Sequence, residues 1–298
     1  MTWRTWQQAA QEALYGDNGF YLRGAPADHF RTSVSAGPLF ATAIRRLAGR
    51  VDDALGHPDP FDVVDVGTGD GRLLADLPDV PSRWRLTGVD LNGRFAATVP
   101  DVTGLLVANE WLDNVPLDVL FDGRLLEVST TGEERLGPPA SSEQLEWART
   151  WWPNRRRVEV GLPREAAWAS AVARVHRGLA LAVDYGHTRA DRRTTLTGYR
   201  DGHQVAPVPD GSCDLTAHVA LDACAAATGS RLMLQREALP LLGISAERPP
   251  REMADQDPRG YLALLQTAGR AGELLNSRGL GAFGWVAKPV GIDDPLGS

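Results

Sequence analysis

A glycine-rich turn near residue 70 is the sequence feature with the clearest chemical consequence. It has the sequence DVGTGDG at 65–71, follows the apolar run FDVV at 61–64 and precedes a short helical pattern of leucines. Glycines at alternating positions allow positive φ values and let the backbone approach a ligand, and a following helix offers its N-terminal amides. The segment predicts the first strand, turn and helix of a nucleotide-type βαβ unit.

Two carboxylates distinguish this turn from one that binds a dinucleotide. The dinucleotide pattern needs its third glycine at position 72, which is Arg72 here, and its ligand is a doubly negative pyrophosphate. Asp65 and Asp70 would repel that group but favour an ammonium or a sulfonium. We therefore predict S-adenosylmethionine as the cofactor and disfavour a nicotinamide-dependent oxidoreductase. The predicted cofactor-binding residues of the turn are Asp65, Gly67, Thr68, Gly69 and Gly71.

A second acidic position strengthens the prediction of a cofactor site. The segment WRLTGVDLN at 84–92 predicts a second strand that ends in Asp90, 19 residues after Gly71. A carboxylate at the end of the second strand can accept both ribose hydroxyls of a nucleotide. We expect Asp90 and its neighbour Leu91 to contact the cofactor. The alternative is an ordinary βα turn with an exposed aspartate.

Polar residues also follow the next apolar run, GLLVAN at 104–109. Ligands of open α/β sheets bind at the carboxyl ends of the strands, so we expect Asn109 to contact the cofactor and Glu110 to face the methyl acceptor. If a helical turn starts there, Glu110 and Asp113 lie on one face of it. Two carboxylates so placed could hold a guanidinium, and both are candidate catalytic residues. Alternatively, either acid caps the turn.

Helix and strand patterns along the chain predict the framework that positions these residues. Short apolar strands that alternate with amphipathic helices predict an α/β fold with a parallel sheet and helices on both faces. We assign residues 1–50 to an N-terminal helical cap, 51–122 to the cofactor-binding half of the core, and 123–163 to an insertion. Residues 164–298 form the rest of the core, with a second insertion near 188–228.

The insertion contains tryptophans and arginines that could contact a partner. They are Trp147, Trp151, Trp152 and the arginines at 155–157. Aromatic side chains next to a basic patch are typical of a surface that binds a peptide with acidic flanks. The alternative is that these tryptophans pack inward and the arginines are merely solvated.

Composition excludes several classes of protein. The 298 residues are 43% hydrophobic, which excludes a disordered chain, and no apolar run approaches the roughly 20 residues that span a bilayer. A net charge of −7 does not favour nucleic acid, and the first residues do not resemble a targeting signal, so we expect a cytoplasmic protein. Cys213 and Cys224 flank His218 at a spacing that matches no zinc pattern, so no metal site is predicted.

The chain resembles the MidA family of class I methyltransferases. The turn is one matching piece, and the most specific others are ANEWLDNVPLDV at 108–119 and DLTAHVALDA at 214–223. The resemblance implies a Rossmann-like class I methyltransferase sheet and methylation of an arginine in a protein or peptide, for example a respiratory complex I subunit. It also implies that Thr32, in HFRTSVSAGPLFATAI at 29–44, contributes to the cofactor site, and that Asp184 and Tyr185 face the same sheet edge.

One departure from the methyltransferase pattern is a short connection. Only 12 residues, Asn92 to Thr103, separate the second strand from the next one, where a full fold usually has a helix, a strand and another helix. Twelve residues hold one short element at most, so the adenine pocket should be open or closed by a segment such as Trp84 or Trp111.

Two alternatives to protein arginine methylation remain open at this stage. The first is methylation of a small molecule or a peptide natural product, since the insertion could reflect a changed acceptor. The second is a non-catalytic assembly or binding protein, against which the retained turn, Asp90 and Glu110 argue. Homo-oligomerisation is left open as well.

Overall fold

The protein is an α/β chain whose computed structural model describes residues 2–23, 37–91 and 93–297. Its helices are α1 (Trp6–Tyr15), α2 (Phe20–Arg23), α3 (Pro38–Leu55), α4 (Arg72–Ala75), α5 (Ser142–Trp151), α6 (Leu162–Val172), α7 (Leu221–Thr228), α8 (Gln235–Leu241), α9 (Met253–Gln256) and α10 (Pro258–Leu275). Its strands are β1 (Arg4–Thr5), β2 (Phe61–Val66), β3 (Trp84–Val89), β4 (Val102–Asn109), β5 (Asp118–Phe121), β6 (Arg124–Val128), β7 (Glu134–Pro139), β8 (Arg157–Val160), β9 (Val175–Asp184), β10 (Gly186–His187), β11 (Thr197–Arg200), β12 (His203–Val205), β13 (Asp214–Thr216), β14 (Val219–Ala220), β15 (Arg231–Leu234) and β16 (Gly284–Val290).

A six-stranded sheet forms the centre of the fold, in the order β15-β16-β9-β4-β2-β3. The strands β3, β2, β4 and β9 are parallel, whereas β16 runs antiparallel to β9 and β15 antiparallel to β16. Val66 pairs with Val89 and Ala108, and Asn109 pairs with Val183. Parallel strands in this register end at one edge of the sheet, so the residues that follow β2, β3, β4 and β9 meet there.

Helices cover both faces of this sheet, as predicted. The residues of β2 alternate between two apolar clusters, because successive side chains of a strand point to opposite faces. Phe61 and Val63 pack with α3, whereas Val64 and Val66 belong to the cluster that contains Trp168 of α6. Strand β2 is buried on both faces, which is why its sequence is mostly apolar rather than alternating.

The connection between β3 and β4 is as short as the sequence predicted. Among its described residues, 90–91 and 93–101, the one pairing outside the named strands is an isolated parallel bridge between Val89 and Ala96. Trp84 does not close an adenine pocket, since its ring is buried against Phe61 with a centroid distance of 4.8 Å. Strand β3 is the edge strand on this side of the central sheet.

A second, antiparallel sheet corresponds to the predicted insertion at 123–163 and extends beyond it. Its order is β1-β6-β5-β8, with β7 paired to β6. Both β1 and β5 lie outside the predicted range. Helix α1 packs on one face of this sheet through Trp6 and Ala9, so the N-terminal helix covers an apolar core.

Two of the insertion tryptophans form part of a core. Trp147 and Trp152 are buried with Leu120 and Val158, and the prediction that they are exposed contacts for a peptide is therefore wrong. Their large rings instead fill the space between α5 and the second sheet. Trp151 remains half-buried.

The neighbouring arginines form ion pairs on the surface. Arg157 makes two 2.8 Å hydrogen bonds to Glu134, and Arg156 pairs with Asp122 while its guanidinium lies 4.6 Å from the ring centroid of Phe121. These acidic partners reduce the positive charge of the patch. Arg155, beside them, is exposed.

The predicted second insertion near 188–228 has two parts. Strands β12, β11 and β13 form a small antiparallel sheet, whereas α7 packs against the central sheet through Cys224 and Ala225. In residues 2–23, 37–91 and 93–297, no helix combines the length and apolar character needed to cross a bilayer.

Candidate functional site

The glycine turn follows β2 at the carboxyl edge of the central sheet. Gly67, Gly69 and Gly71 have φ values of 73°, 59° and 84°, which glycine adopts without the steric cost that other residues meet. A Cβ atom on Gly67 would lie 2.8 Å from Cδ1 of Trp111, so this position also needs glycine for space. Trp111 thus contacts the turn directly.

Asp65 lies beneath the turn and is almost fully buried. Its carboxylate accepts a 2.7 Å hydrogen bond from the hydroxyl of Thr68, which fixes both predicted residues relative to each other. Burial raises the pKa of Asp65 to about 7, and the negative charges of Asp90 and Asp70 act in the same direction. A cation bound nearby would favour the ionised form of Asp65.

Asp90 lies against the turn from the end of β3. Its carboxylate accepts a 2.9 Å hydrogen bond from the backbone N–H of Gly69. The neighbouring side chain of Leu91 is 65% exposed, which is unusual for a large apolar residue and places an apolar surface next to Asp90. Asp70 is exposed and accepts a hydrogen bond from the backbone N–H of Arg72 at 3.0 Å.

Asn109 and Glu110 lie at the end of β4. The amide of Asn109 donates a 3.2 Å hydrogen bond to the carboxylate of Glu110. Glu110 has a φ of 51°, and its backbone N–H bonds to the carbonyl of Val183 at 2.8 Å. A left-handed conformation in a residue with a side chain is strained, and such residues are concentrated at functional sites.

The helical turn in this segment begins later than the sequence suggested. It is a 3₁₀ turn at Leu112–Asn114, so the expectation of a turn that starts at Asn109 or Glu110 and places Glu110 and Asp113 on one face is wrong. The left-handed backbone of Glu110 separates it from the turn. Glu110 is half-buried near the sheet edge, whereas Asp113 is buried.

Asp113 belongs to a buried hydrogen-bond network. Its carboxylate accepts hydrogen bonds from the hydroxyls of Tyr185 and Thr216, the latter at 2.9 Å. Burial raises the pKa of Asp113, although these two hydrogen bonds and the charge of Arg164 oppose the shift. Burial also raises the pKa of Tyr185, so its phenol remains protonated and donates.

Asp184 is a second buried carboxylate next to Asp113. It accepts the backbone N–H groups of Leu112 at 2.9 Å and Asp113 at 3.2 Å, and in this way it fixes the 3₁₀ turn. Burial raises the pKa of Asp184 well above its ordinary value, and the charges of Asp113 and Glu110 raise it further. Because the two buried carboxyl groups interact, they titrate as a pair.

Arg164 supplies positive charge behind these carboxylates. It is 2% exposed and donates to the carbonyl oxygens of Val115, Ala217 and His218 at 2.8–3.1 Å. A buried guanidinium bonded to two separate segments, one at Val115 and one at residues 217–218, holds the loops around the site in place. No sequence pattern indicates this role, since an arginine in the first turn of an amphipathic helix is ordinarily solvent-exposed.

Three acceptor oxygens near this network have no hydrogen-bond partner among the described residues. They are Oδ1 of Asn109, Oδ1 of Asp113 and Oδ1 of Asp184, and all three are buried. A buried acceptor without a partner costs about 1–3 kcal/mol, and native structures contain few of them. Their concentration at one edge of the sheet offers acceptor oxygens to a ligand that donates hydrogen bonds or carries a positive charge.

Two other predictions concern residues beyond this network. Thr32 lies outside the described residues. In the part of the chain that the structure describes, no group of three or more His, Cys, Asp or Glu side chains could hold a metal ion, and Cys213 and Cys224 are free and buried.

The site as a whole combines a glycine turn with carboxylates at the ends of four adjacent strands, β9, β4, β2 and β3. Asp65 and Asp90 lie at the turn, and Glu110, Asp113 and Asp184 lie at the ends of β4 and β9. This distribution suits two ligands that lie side by side. The first has a ribose and a positive charge, and the second is a cation. The same distribution does not suit a pyrophosphate, in agreement with the argument from the sequence.

Comparison with known proteins gives one family match. Residues 79–237, just over half of the chain, match the family described as "Putative S-adenosyl-L-methionine-dependent methyltransferase". No curated protein matches this chain.

Two crystal structures of proteins from Burkholderia thailandensis have a similar fold. One is a candidate methyl transferase bound to S-adenosyl-homocysteine, with a TM-score of 0.78 and 21% identity over 98% of this chain and 89% of that chain. The other is an uncharacterized protein in its native form, with a TM-score of 0.78 and 22% identity over 99% of this chain and 90% of that chain. These similarities confirm the predicted α/β fold.

Proposed function

The chain belongs to this family of S-adenosyl-L-methionine-dependent methyltransferases, and on that premise we propose that it methylates an arginine of a protein partner. Family membership confirms the predicted cofactor and the predicted class of enzyme. The acceptor, the individual site residues and the relation to the MidA family are the further steps of the proposal.

The glycine turn and Asp90 are the proposed cofactor site. The turn at 65–71 offers backbone amides, Asp90 can accept ribose hydroxyls, and the exposed side chain of Leu91 can contact the adenine. Asp65 and Asn109 supply negative charge and an amide on the side of the methionine group. A protein of similar fold binds S-adenosyl-homocysteine, which supports this assignment.

The observation that favours arginine as the acceptor is the group of carboxylates at the ends of β4 and β9. A guanidinium stays protonated at physiological pH, because its pKa is above about 12. A site that positions it must therefore supply negative charge. Glu110 is half-buried at the sheet edge and is the proposed contact, while the buried Asp113 and Asp184, whose pKa values burial raises, would add negative charge once a bound cation favours their ionised forms.

The proposed roles of the residues follow from the geometry of methyl transfer. The bound cofactor supplies a methyl group on a sulfonium, which reacts with a nucleophile in line with the breaking carbon–sulfur bond. Glu110 would orient the guanidinium and concentrate its positive charge on one nitrogen, so that another nitrogen can form the new bond to the methyl carbon as the carbon–sulfur bond breaks. The proton that this nitrogen loses would pass to the carboxylate of Glu110 or to water. The strained backbone of Glu110 and its hydrogen bond from Asn109 hold this carboxylate in position.

The MidA resemblance makes a subunit of respiratory complex I the first partner to test. An extract of the source cells would be incubated with the protein and S-adenosylmethionine labelled in its methyl group, with Glu110→Gln as the matched variant. We expect the wild type to label a protein and the variant to leave it unlabelled. Label on a small molecule instead would favour the alternative acceptor and contradict the proposal.

A further inference from the structure

The position of the glycine turn depends on the end of β3. The carbonyl of Val89 accepts the backbone N–H groups of Gly67 at 2.9 Å and Thr68 at 3.2 Å, and the carboxylate of Asp90 accepts that of Gly69. Three consecutive amides of the turn are thus bonded to two residues. Any displacement of residues 89–90 would displace the turn.

The end of β3 is itself held by the short connection that follows it. Since β3 is the last strand of the sheet, its outer side lacks a neighbouring strand among the described residues. Ala96 bonds to this side twice: its carbonyl accepts the N–H of Asp90 at 3.0 Å, and its N–H donates to the carbonyl of Gly88 at 3.1 Å. The connection thereby performs the pairing that a further strand would provide.

Phe95 joins this connection to the turn. A Cβ atom on Gly71 would lie 2.8 Å from Cζ of Phe95, and one on Gly88 would lie 2.8 Å from its Cδ1. The half-buried ring therefore touches the backbone of both glycines, one at the end of the turn and one in β3. Neither glycine could be replaced without displacing the ring.

We propose that Phe95 is a positioning residue for the cofactor: its ring holds the glycine turn against the end of β3 in the conformation that binds S-adenosylmethionine. This inference rests on the cofactor site proposed above. The ring lies at the outer edge strand β3, next to the short connection, and it supports the turn at Gly71, whereas Trp111 contacts the turn at Gly67.

Loss of the ring should weaken cofactor binding through the population of the binding-competent turn. The apparent dissociation constant equals the intrinsic one divided by the fraction of molecules in the competent state. If the unsupported turn adopts that state about one tenth of the time, the dissociation constant rises about tenfold. The methyl-transfer step, at saturating cofactor, should change much less.

The test uses the full chain and S-adenosyl-homocysteine as the probe, with binding measured by calorimetry. We expect Phe95→Ala to raise the dissociation constant about tenfold and to lower kcat/KM for S-adenosylmethionine more than kcat. Phe95→Leu keeps an apolar side chain next to both glycines without adding an atom beyond the ring position, and it should lose less affinity than Phe95→Ala. Phe121→Ala is the matched control, because it removes a half-buried ring from the second sheet, away from the turn.

The controls separate this inference from the proposed cofactor site. Unchanged binding in Phe95→Ala, or an equal loss in Phe121→Ala, would overturn the role of Phe95. If Asp90→Ala weakens binding while Phe95→Ala does not, the cofactor site stands and only the positioning role fails. Absence of binding by the wild type would overturn both.

Discussion

The backbone N–H of Gly69 donates a 2.9 Å hydrogen bond to the carboxylate of Asp90. The two residues come from neighbouring strand ends, and the bond joins the two parts of the proposed cofactor site. Asp90 therefore has two roles in this account: it orients the turn, and it offers its carboxylate to the ribose. Substitution of Asp90 should affect both.

Replacement of Asp90 tests the cofactor site. We expect Asp90→Ala to weaken S-adenosyl-homocysteine binding by about 1.5–3 kcal/mol, the cost of losing hydrogen bonds to a charged group. Titration calorimetry measures this change, with Asp53→Ala on the exposed side of α3 as the control. Equal affinities in the wild type and Asp90→Ala, or tight binding of NAD, would argue against the assignment.

Glu110→Gln separates the acceptor role from cofactor binding. The substitution keeps the shape of the side chain and removes its charge, so we expect nearly unchanged cofactor affinity and a loss of turnover of about 100-fold or more. Single-turnover assays measure the methyl-transfer step, and Glu247→Gln at an exposed position is the control. Full activity of Glu110→Gln would reduce Glu110 to a structural residue.

The turn and the first strands could be predicted because their signals are local. A strand, a turn and a second strand are predicted by the β-branched segment at 61–64, the alternating glycines and the spacing to Asp90. None of these signals depends on distant residues. The buried role of Arg164 could not be predicted in this way, since its acceptors lie in separate parts of the chain at Val115, Ala217 and His218.

The errors of the sequence interpretation have the same physical origin. Whether Trp147 and Trp152 are exposed depends on the strands that pack against them. The residue types around the two tryptophans do not show which strands these are. The helical turn considered after Asn109 begins only at Leu112, because Glu110 adopts a left-handed backbone conformation. Residues with a side chain rarely adopt this conformation, so the sequence does not predict it.

The packing of Trp147 makes a prediction about stability. Trp147→Ala should lower the free energy of unfolding by about 3–5 kcal/mol, because a large buried ring is lost from the core beneath α5. Urea denaturation measures this change. The exposed Arg155→Ala is the control, and a stable Trp147→Ala that has lost only protein-substrate binding would contradict the assigned packing.

The raised pKa of Asp65 predicts a pH dependence of cofactor binding. With a pKa of about 7, Asp65 is mostly protonated at pH 6 and mostly ionised at pH 8, and the ionised form attracts a cation. Affinity for S-adenosylmethionine should therefore increase across this range, by up to about tenfold if only the ionised form binds. Asp65→Asn should lack this increase, and parallel pH profiles for the two proteins would exclude Asp65 as its source.

The hydrogen bond from Tyr185 to Asp113 predicts the effect of removing one hydroxyl. In Tyr185→Phe the buried carboxylate loses a donor, and we expect a loss of about 1–3 kcal/mol in unfolding free energy. Urea denaturation against Tyr261→Phe in α10 measures it. A stability equal to that of the wild type would show that Asp113 does not depend on this donor.

The position of the transferred methyl group shows whether an arginine side chain is the methyl acceptor. A protein labelled by the wild type with isotopic S-adenosylmethionine would be digested, and the modified residue would be located by fragmentation mass spectrometry. We expect the label on a guanidino nitrogen of an arginine, and we expect it to disappear when that arginine is changed to lysine. Label on a carboxylate, a hydroxyl or a small metabolite would contradict it.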